Sequence, residues 1–360
     1  MEDNNILEVH NLKISLPVRE KRVMFIRGVD LSLPKGKILA LVGESGSGKT
    51  LTARSLMSLL PKAARIESGE ILLKSKTGDE PGTDLAKLSH ARIVNTVNAR
   101  RIGMVFQDPL TTLNPTMTVG KQLAEGYKVH EHRFAGEAKK RALELLASVG
   151  LPEPERCFKQ YPHELSGGMR QRVIIAIALS LNPDILICDE PTTSLDVTIQ
   201  ARILELLKKL QAERQLSVLY ITHDLGVVAE IADIIYVMYA GRIVEEGSRS
   251  DILYHPAHPY TWGLLSSVPD MSFKEERLIS IPGTPPDLSS GLRGDPFAPR
   301  NAWALPEDFE EEPPMFRLSS THAVRSRLYD GAHTPPPLPE NLARRIGNRS
   351  SAAEKEERHD

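Results

Sequence analysis

Gly43-Glu44-Ser45-Gly46-Ser47-Gly48-Lys49-Thr50 is the stretch on which the reading of this 360-residue chain turns. It follows the pattern G-x-x-x-x-G-K-[ST], a phosphate-binding loop. Before it stands Ile38-Leu39-Ala40-Leu41-Val42, an apolar run that predicts a strand buried on both faces. After it, Lys49 to about Leu60 predicts a helix, and Pro61 fits its end. A flexible glycine turn would need no such setting; a phosphate cradle does. The glycines let successive backbone N–H groups turn inward around phosphate oxygens. The helix start presents its positive end to the same anion. Every residue from Gly43 to Thr50 is therefore a candidate nucleotide contact, with Lys49 reaching the β- and γ-phosphates and Thr50 ligating Mg²⁺.

Two further apolar runs end in polar residues. Ile185-Leu186-Ile187-Cys188 leads into Asp189 and Glu190, and Val218-Leu219-Tyr220-Ile221 leads into Thr222 and His223. Both predict buried parallel strands, whose carboxyl ends are where ligands bind in open α/β sheets. Helical stretches around 168–181 and 198–214 alternate with these strands, so the fold class is α/β with a largely parallel sheet. Asp189 is placed to hold Mg²⁺ through its hydration shell. Glu190 is placed to accept a proton from an attacking water. Leu165-Ser166-Gly167-Gly168-Met169-Arg170-Gln171 opens the helix before the Ile185–Cys188 run. Ser166 reads as its N-cap. A capped, buried helix explains the serine but not the paired glycines, which leave a second helix N-terminus bare for an anion. One nucleotide can use both sites only if each comes from a different chain.

The remainder bounds the class. Apolar residues at 41% and charged residues at 26% fit an ordinary globular protein. A net charge of -2 gives no support for bulk binding to nucleic acid. No apolar run approaches the ~18 residues of a membrane span. Residues 1–8 are acidic without an apolar segment, which predicts no secretory signal and a cytosolic chain. Cys157 and Cys188 lack metal-ligand spacing, and Cys188 reads as a small core residue. Residues 6–42 read as strands, 74–90 as a surface loop, 119–148 as helical, and 234–246 as two short strands around Ala240-Gly241-Arg242. Ala138, Ala142, Leu145 and Leu146 fall at helical spacing. After about 255 prolines recur, giving a loop-rich extension. Residues 331–360 turn Pro-rich and then highly charged, which predicts disorder.

Taken together, these motifs resemble the ATP-binding cassette of ABC transporters over roughly residues 6–250. Gly43–Thr50 matches Walker A and Ile185–Glu190 Walker B with its catalytic glutamate. Gln107, in Val105-Phe106-Gln107-Asp108-Pro109, matches the Q-loop, and Leu165–Gln171 is similar to the signature motif. Ser194-Leu195-Asp196 matches the D-loop and His223 the switch histidine. Outside that context Gln107 reads as a loop amide and His223 as a hydrogen-bonded strand end. Phe25 fits either adenine stacking or the core. The segments QDPLTTLNPT (107–116), CDEPTTSLDVTIQAR (188–202), HPAHPYT (255–261) and IPGTPPD (281–287) resemble oligopeptide and dipeptide importers, in particular the D-type ATPase subunit of an oligopeptide permease.

The resemblance implies a P-loop NTPase cassette over 6–254. Its parts would be a RecA-like, mostly parallel sheet core, an antiparallel β subdomain and an α-helical subdomain at about 107–182. A permease-type extension would follow over 255–330. It implies ATP and Mg²⁺ as cofactors, with Glu190, His223 and Gln107 catalytic and Thr50, Gln107 and Asp189 around the metal. Ser166, Gly167, Gly168 and Asp196 would meet nucleotide across a dimer. The implied partners are a second, different ATPase subunit, two integral membrane subunits and an extracytoplasmic binding protein. The implied place is the cytoplasmic face of the membrane, as a peripheral subunit. Peptides are the cargo expected first, with nickel, glutathione or oligosaccharide as alternatives, and a soluble non-transport ATPase more distant. Many relatives carry four cysteines in the extension that suit an iron–sulfur cluster. Here those positions are Asp295, Asn301, Asp308 and Ser326, so no cluster is expected, and this departure resembles the oligopeptide systems of Gram-positive bacteria.

Overall fold

The structure is a computed structural model that describes residues 4–75, 82–131, 134–193, 195–268 and 281–347. A long hairpin opens it, β1 (Asn5–Val18) and β2 (Lys21–Pro34), followed by β3 (Ile38–Val42). The loop at 43–48 feeds α1 (Lys49–Leu56). α1 stops about a turn short of the sequence expectation. Ser58 turns left-handed, with φ of 54°, and the Leu59 N–H donates back to Arg54 O at 2.9 Å, which closes the helix with a Schellman-like bond. β4 (Arg65–Leu73) and β5 (Thr83–Asp84) then complete an antiparallel sheet of order β2-β1-β4-β5. The expected surface loop at 74–90 is thus partly ordered; residues 76–81 lie outside the described residues.

α2 (His90–Thr96) and β6 (Ile102–Val105) lead into a helical block. The block holds α3 (Pro109–Thr112), α4 (Val119–Glu131), α5 (Ala135–Ser148), α6 (Pro154–Lys159) and α7 (Gly167–Leu179). The positions expected on one face of α5, Ala138, Ala142, Leu145 and Leu146, are all buried. β7 (Ile185–Asp189), α8 (Val197–Arg214), β8 (Ser217–Thr222) and α9 (Leu225–Ile231) alternate, and β9 (Ile234–Tyr239) pairs with β10 (Arg242–Ser248) as a hairpin. α10 (Arg249–Tyr254) follows β10, and the extension adds α11 (Pro259–Ser266), β11 (Phe316–Arg317) and β12 (Ala323–Val324).

The main sheet runs β11-β12-β10-β9-β3-β8-β7-β6. The five strands from β9 to β6 are parallel, and the others antiparallel. β3 lies inside this sheet and is buried at all five residues. Its side chains feed three cores: Ile38 packs with the helical block, Leu39 and Leu41 with the antiparallel sheet, Ala40 and Val42 with the extension. Burying each large aliphatic side chain of this strand contributes about 1.5–3 kcal/mol.

The extension is more closely joined to the main sheet than a loop-rich appendage would be. Glu245 of β10 pairs with Val324 of β12. Tyr260, Trp262 and Phe297 share one core with Ala40 and Val42. The disorder expected for 331–360 does not hold for its first part. Residues 340–347 are helical, Leu342 is buried in the extension's core, and the Arg345 guanidinium donates to Val268 O at 2.8 Å. An apolar residue and a charged one with backbone partners anchor a segment whose composition alone reads as solvated. Residues 348–360 lie outside the described residues.

α11 starts on a buried histidine. His258 Nδ1 accepts the Tyr260 N–H at 3.0 Å, which requires a neutral ring. Burial pushes its pKa down to about 3 from the ordinary 6.5. As pH falls the unfolded chain therefore takes this proton first. The stability contribution is complete above about pH 6.5 and is lost progressively between there and pH 3, reaching roughly 2–3 kcal/mol by pH 4.5. His258→Asn keeps a capping acceptor without a titrating ring. Thermal melts of both proteins from pH 7.5 to 4.5 should show the wild type falling more steeply. Parallel curves would remove His258 from the acid response.

Candidate nucleotide site

Strand register brings the sequence motifs to one edge. In the parallel sheet Val42 lies beside Thr222, Asp189 beside Ile221, and Val105 beside Cys188. The next residues of each chain segment, Gly43, His223, Glu190 and Gln107 just beyond Phe106, are thereby delivered to the same carboxyl edge. They line one cavity of about 940 Å³ with Glu44, Ser45, Gly46, Gly48, Lys49, Thr50 and Thr193, a size typical of small-molecule clefts.

The loop's geometry demands glycine at its first position. Gly43 has φ of 154°, and a Cβ there would lie 2.1 Å from Met238 O. At its far end α1 has no side-chain cap, which leaves its first N–H groups available to an anion. Lys49 is 5% exposed. Its ammonium donates to Gly43 O at 2.7 Å and Glu44 O at 2.9 Å. Burial lowers its pKa, against the pull of Glu190, Asp189 and Glu44. A buried ammonium held by neutral carbonyls is poised for a better, anionic partner.

Thr50 Oγ1 donates to Asp189 Oδ1 at 2.9 Å. Asp189 is 2% exposed, and burial raises its pKa. A hydroxyl and a carboxylate this close, with the Gln107 amide on the same cavity wall, form an all-oxygen donor set that fits Mg²⁺. The ion's charge would favour the ionised form of Asp189.

Glu190 is held from three sides. Its carboxylate accepts from Thr193 Oγ1 at 3.0 Å and Gln107 Nε2 at 3.3 Å, and His223 Nδ1 lies 3.3 Å from its other oxygen. Its backbone is left-handed, with φ of 47°, and its N–H donates to Ile221 O at 2.9 Å. Such a non-glycine conformation costs on the order of 1–3 kcal/mol; here it turns the carboxylate from the strand end into the cavity.

The signature residues lie elsewhere. Ser166 and Gly167 are exposed, and Ser166 Oγ accepts the Met169 N–H of its own helix at 3.4 Å. Neither they nor Gly168 line the cavity. Gly168 has a reason within the chain: a Cβ there would lie 2.8 Å from Ile199 Cγ2 of α8. Asp196 caps α8 through Ile199 N–H at 2.9 Å and is exposed. Ser194 lies outside the described residues. Cys188 is fully buried, which pushes its thiol pKa far up and makes it inert core.

Comparison with known proteins adds lineage to this geometry. The family described as ABC transporter matches residues 26–193, and that described as oligopeptide/dipeptide transporter, C-terminal region, matches 244–307. The oligopeptide transport ATP-binding protein OppD of Bacillus subtilis is 54% identical over 92% of both chains. The dipeptide transport ATP-binding protein DppD of Lactococcus lactis is 50% identical over 92% of this chain and 93% of its own. The chain belongs to the ABC transporter family. Among solved structures, the dimeric ABC transporter cassette MJ0796 superposes with a TM-score of 0.58 at 28% identity, covering 68% of this chain and 98% of that one. The same cassette is also known in a post-hydrolysis state bound to ADP and Pi.

In this ABC cassette the four extension positions compared above with a cysteine set serve as turn caps. Asp295 accepts from Phe297 N–H, Asn301 from Trp303 N–H, Asp308 from Leu305 N–H and Ser326 from Leu328 N–H. Sequence reasoning left Phe25 open; it lines the nucleotide cavity with Leu16. Leu264, Ser267 and Ile281 of the extension line it too, and nothing in the sequence placed them at this cavity. No helix among the described residues is long and apolar enough to cross a membrane.

Proposed function

We propose that this chain is the ATP-binding and ATP-hydrolysing subunit of an ABC importer for oligopeptides or dipeptides. It would sit as a peripheral subunit on the cytoplasmic face of the membrane, beside integral membrane subunits. The observation that carries this reading is the convergence of Lys49, Thr50–Asp189, Gln107, Glu190 and His223 on one cavity. The match of residues 244–307 to the oligopeptide/dipeptide C-terminal region selects peptides as cargo.

The chemistry follows from the residues. Loop N–H groups and the Lys49 ammonium bind the phosphates. Mg²⁺, held by Thr50 and Asp189 with Gln107 in reach, would supply positive charge to the β- and γ-oxygens. Glu190 takes a proton from the attacking water, and Thr193 and Gln107 keep its carboxylate aimed. His223 steadies the γ-phosphate and the charge that develops on it. Ser166, Gly167, Gly168 and Asp196 close on the nucleotide of a second ATPase subunit, which does the same in return. The exposure of Ser166, Gly167 and Asp196, and that of neighbouring Val197 at 83%, supports a face that a second cassette covers. No iron–sulfur cluster belongs to this reading, because carboxylate, amide and hydroxyl caps stand where thiolates would be needed. Stoichiometric iron in anaerobically purified protein would overturn that point.

Uptake of labelled oligopeptides should disappear in a deletion strain and return with the wild-type chain, and the purified complex should hydrolyse ATP. Uptake that persists unchanged without the chain, with no membrane subunit co-purifying, would sink the transport assignment.

A further inference from the structure

The C-terminal extension reaches back to the second residue of the phosphate loop and holds it at two points. The Tyr260 hydroxyl accepts the Glu44 N–H at 2.7 Å. Arg300, 8% exposed, forks onto the Glu44 carboxylate, Nη1 to Oε2 at 2.7 Å and Nη2 to Oε1 at 3.0 Å. Two further bonds fix the guanidinium, Nε to Pro282 O at 2.7 Å and Nη1 to the Tyr239 hydroxyl at 3.2 Å. Rings of Tyr239, Tyr260 and Phe297 pack together behind it, with centroids 4.7–5.4 Å apart. The Glu44 carbonyl, in turn, accepts from the Lys49 ammonium. A residue whose N–H and side chain are both held from the extension thus carries an acceptor that aims the loop's lysine.

We propose that Arg300 and Tyr260 are positioning residues for nucleotide binding: the extension sets the shape of the phosphate loop and neutralises the Glu44 carboxylate on the cavity wall. The neutralisation matters because Glu44 would otherwise oppose a triphosphate of the same sign. A bidentate arginine–carboxylate pair suits this task through fixed geometry as well as charge. The inference rests on the reading that this cavity takes a nucleotide.

Binding of MgATP to the full-length chain, measured by calorimetry beside the melting temperature, tests it. Arg300→Met should weaken affinity by about tenfold, equivalent to about 1.4 kcal/mol. The double variant Glu44→Gln with Arg300→Met should recover most of it, since no uncompensated carboxylate remains. Arg300→Lys should fall between, as a charge without the fork. An arginine that only docks the extension would lower the melting temperature of single and double variants alike and give no recovery of affinity. That result, or wild-type affinity in Arg300→Met, would overturn the proposal. Should Arg300→Met fail to fold, Tyr260→Phe decides: weaker MgATP binding at an unchanged melting temperature supports the proposal, and unchanged binding refutes it. A wild-type chain that binds no MgATP would defeat the functional reading itself. Normal wild-type binding with insensitive variants would defeat only the clamp.

Discussion

Glu190→Gln should cut ATP turnover by roughly 10²–10⁴-fold, the usual share of a general base, while ATP binding survives. The substitution is nearly isosteric. An amide oxygen can still accept from Thr193, which lies 3.0 Å away, and the left-handed backbone at 190 is set by the Ile221 contact rather than by the side-chain charge. What is lost is the ability to take a proton. Removing a negative charge from the cavity does not oppose a triphosphate. With binding intact and turnover stopped, the ATP-loaded subunit should accumulate in association with the second cassette proposed above. Single-turnover hydrolysis and sedimentation in saturating MgATP measure both. A variant that hydrolyses at near wild-type rate would remove Glu190 from the chemistry. A wild-type and variant pair that never associate with any cassette would remove the shared-nucleotide arrangement.

Lys49→Met should lower ATP affinity by about 10²-fold, equivalent to roughly 2.7 kcal/mol, yet leave the empty protein as stable as before or slightly more so. The sign comes from the lysine's surroundings. Its ammonium is buried on backbone carbonyls, and burial disfavours its charged form. Replacing a buried cation by an apolar chain of similar length relieves that desolvation, although it leaves the Gly43 and Glu44 carbonyls with one donor fewer. Once phosphates arrive the balance reverses, because the ammonium then has an anionic partner and methionine offers none. Thermal shifts with and without MgATP separate the two effects. A variant that keeps the wild-type ATP-induced shift would show that Lys49 does not reach the phosphates.

Local chemistry made most of this legible beforehand. The phosphate loop could be read because glycines, lysine and threonine at fixed spacing, between an apolar run and a helix, leave few physical alternatives. Asp189-Glu190 and His223 could be read because buried parallel strands run continuously apolar and end in the residues that face the ligand. Other features had no such signal. Tyr260 and Arg300 lie 216 and 256 residues from Glu44, and neither periodicity nor composition records a pairing at that distance. Gly168 read as an anion-site glycine, whereas its spacing to Ile199 adds a packing reason that only the α7–α8 approach reveals. Residues 340–347 read as solvated because their anchors, Leu342 and Arg345, are two positions in a polar segment.

The sequence by itself determined the fold class, the nucleotide loop and the acidic and histidine residues at the strand ends, because each follows from contacts within a few residues along the chain. The tertiary structure alone decided three things: the alignment of four strand ends into one cavity, the left-handed turn that aims Glu190, and the extension's hold on Glu44. These depend on strand register and long-range packing. A parallel sheet orders its strands 9-3-8-7-6 by how buried faces fit together, which no local pattern specifies.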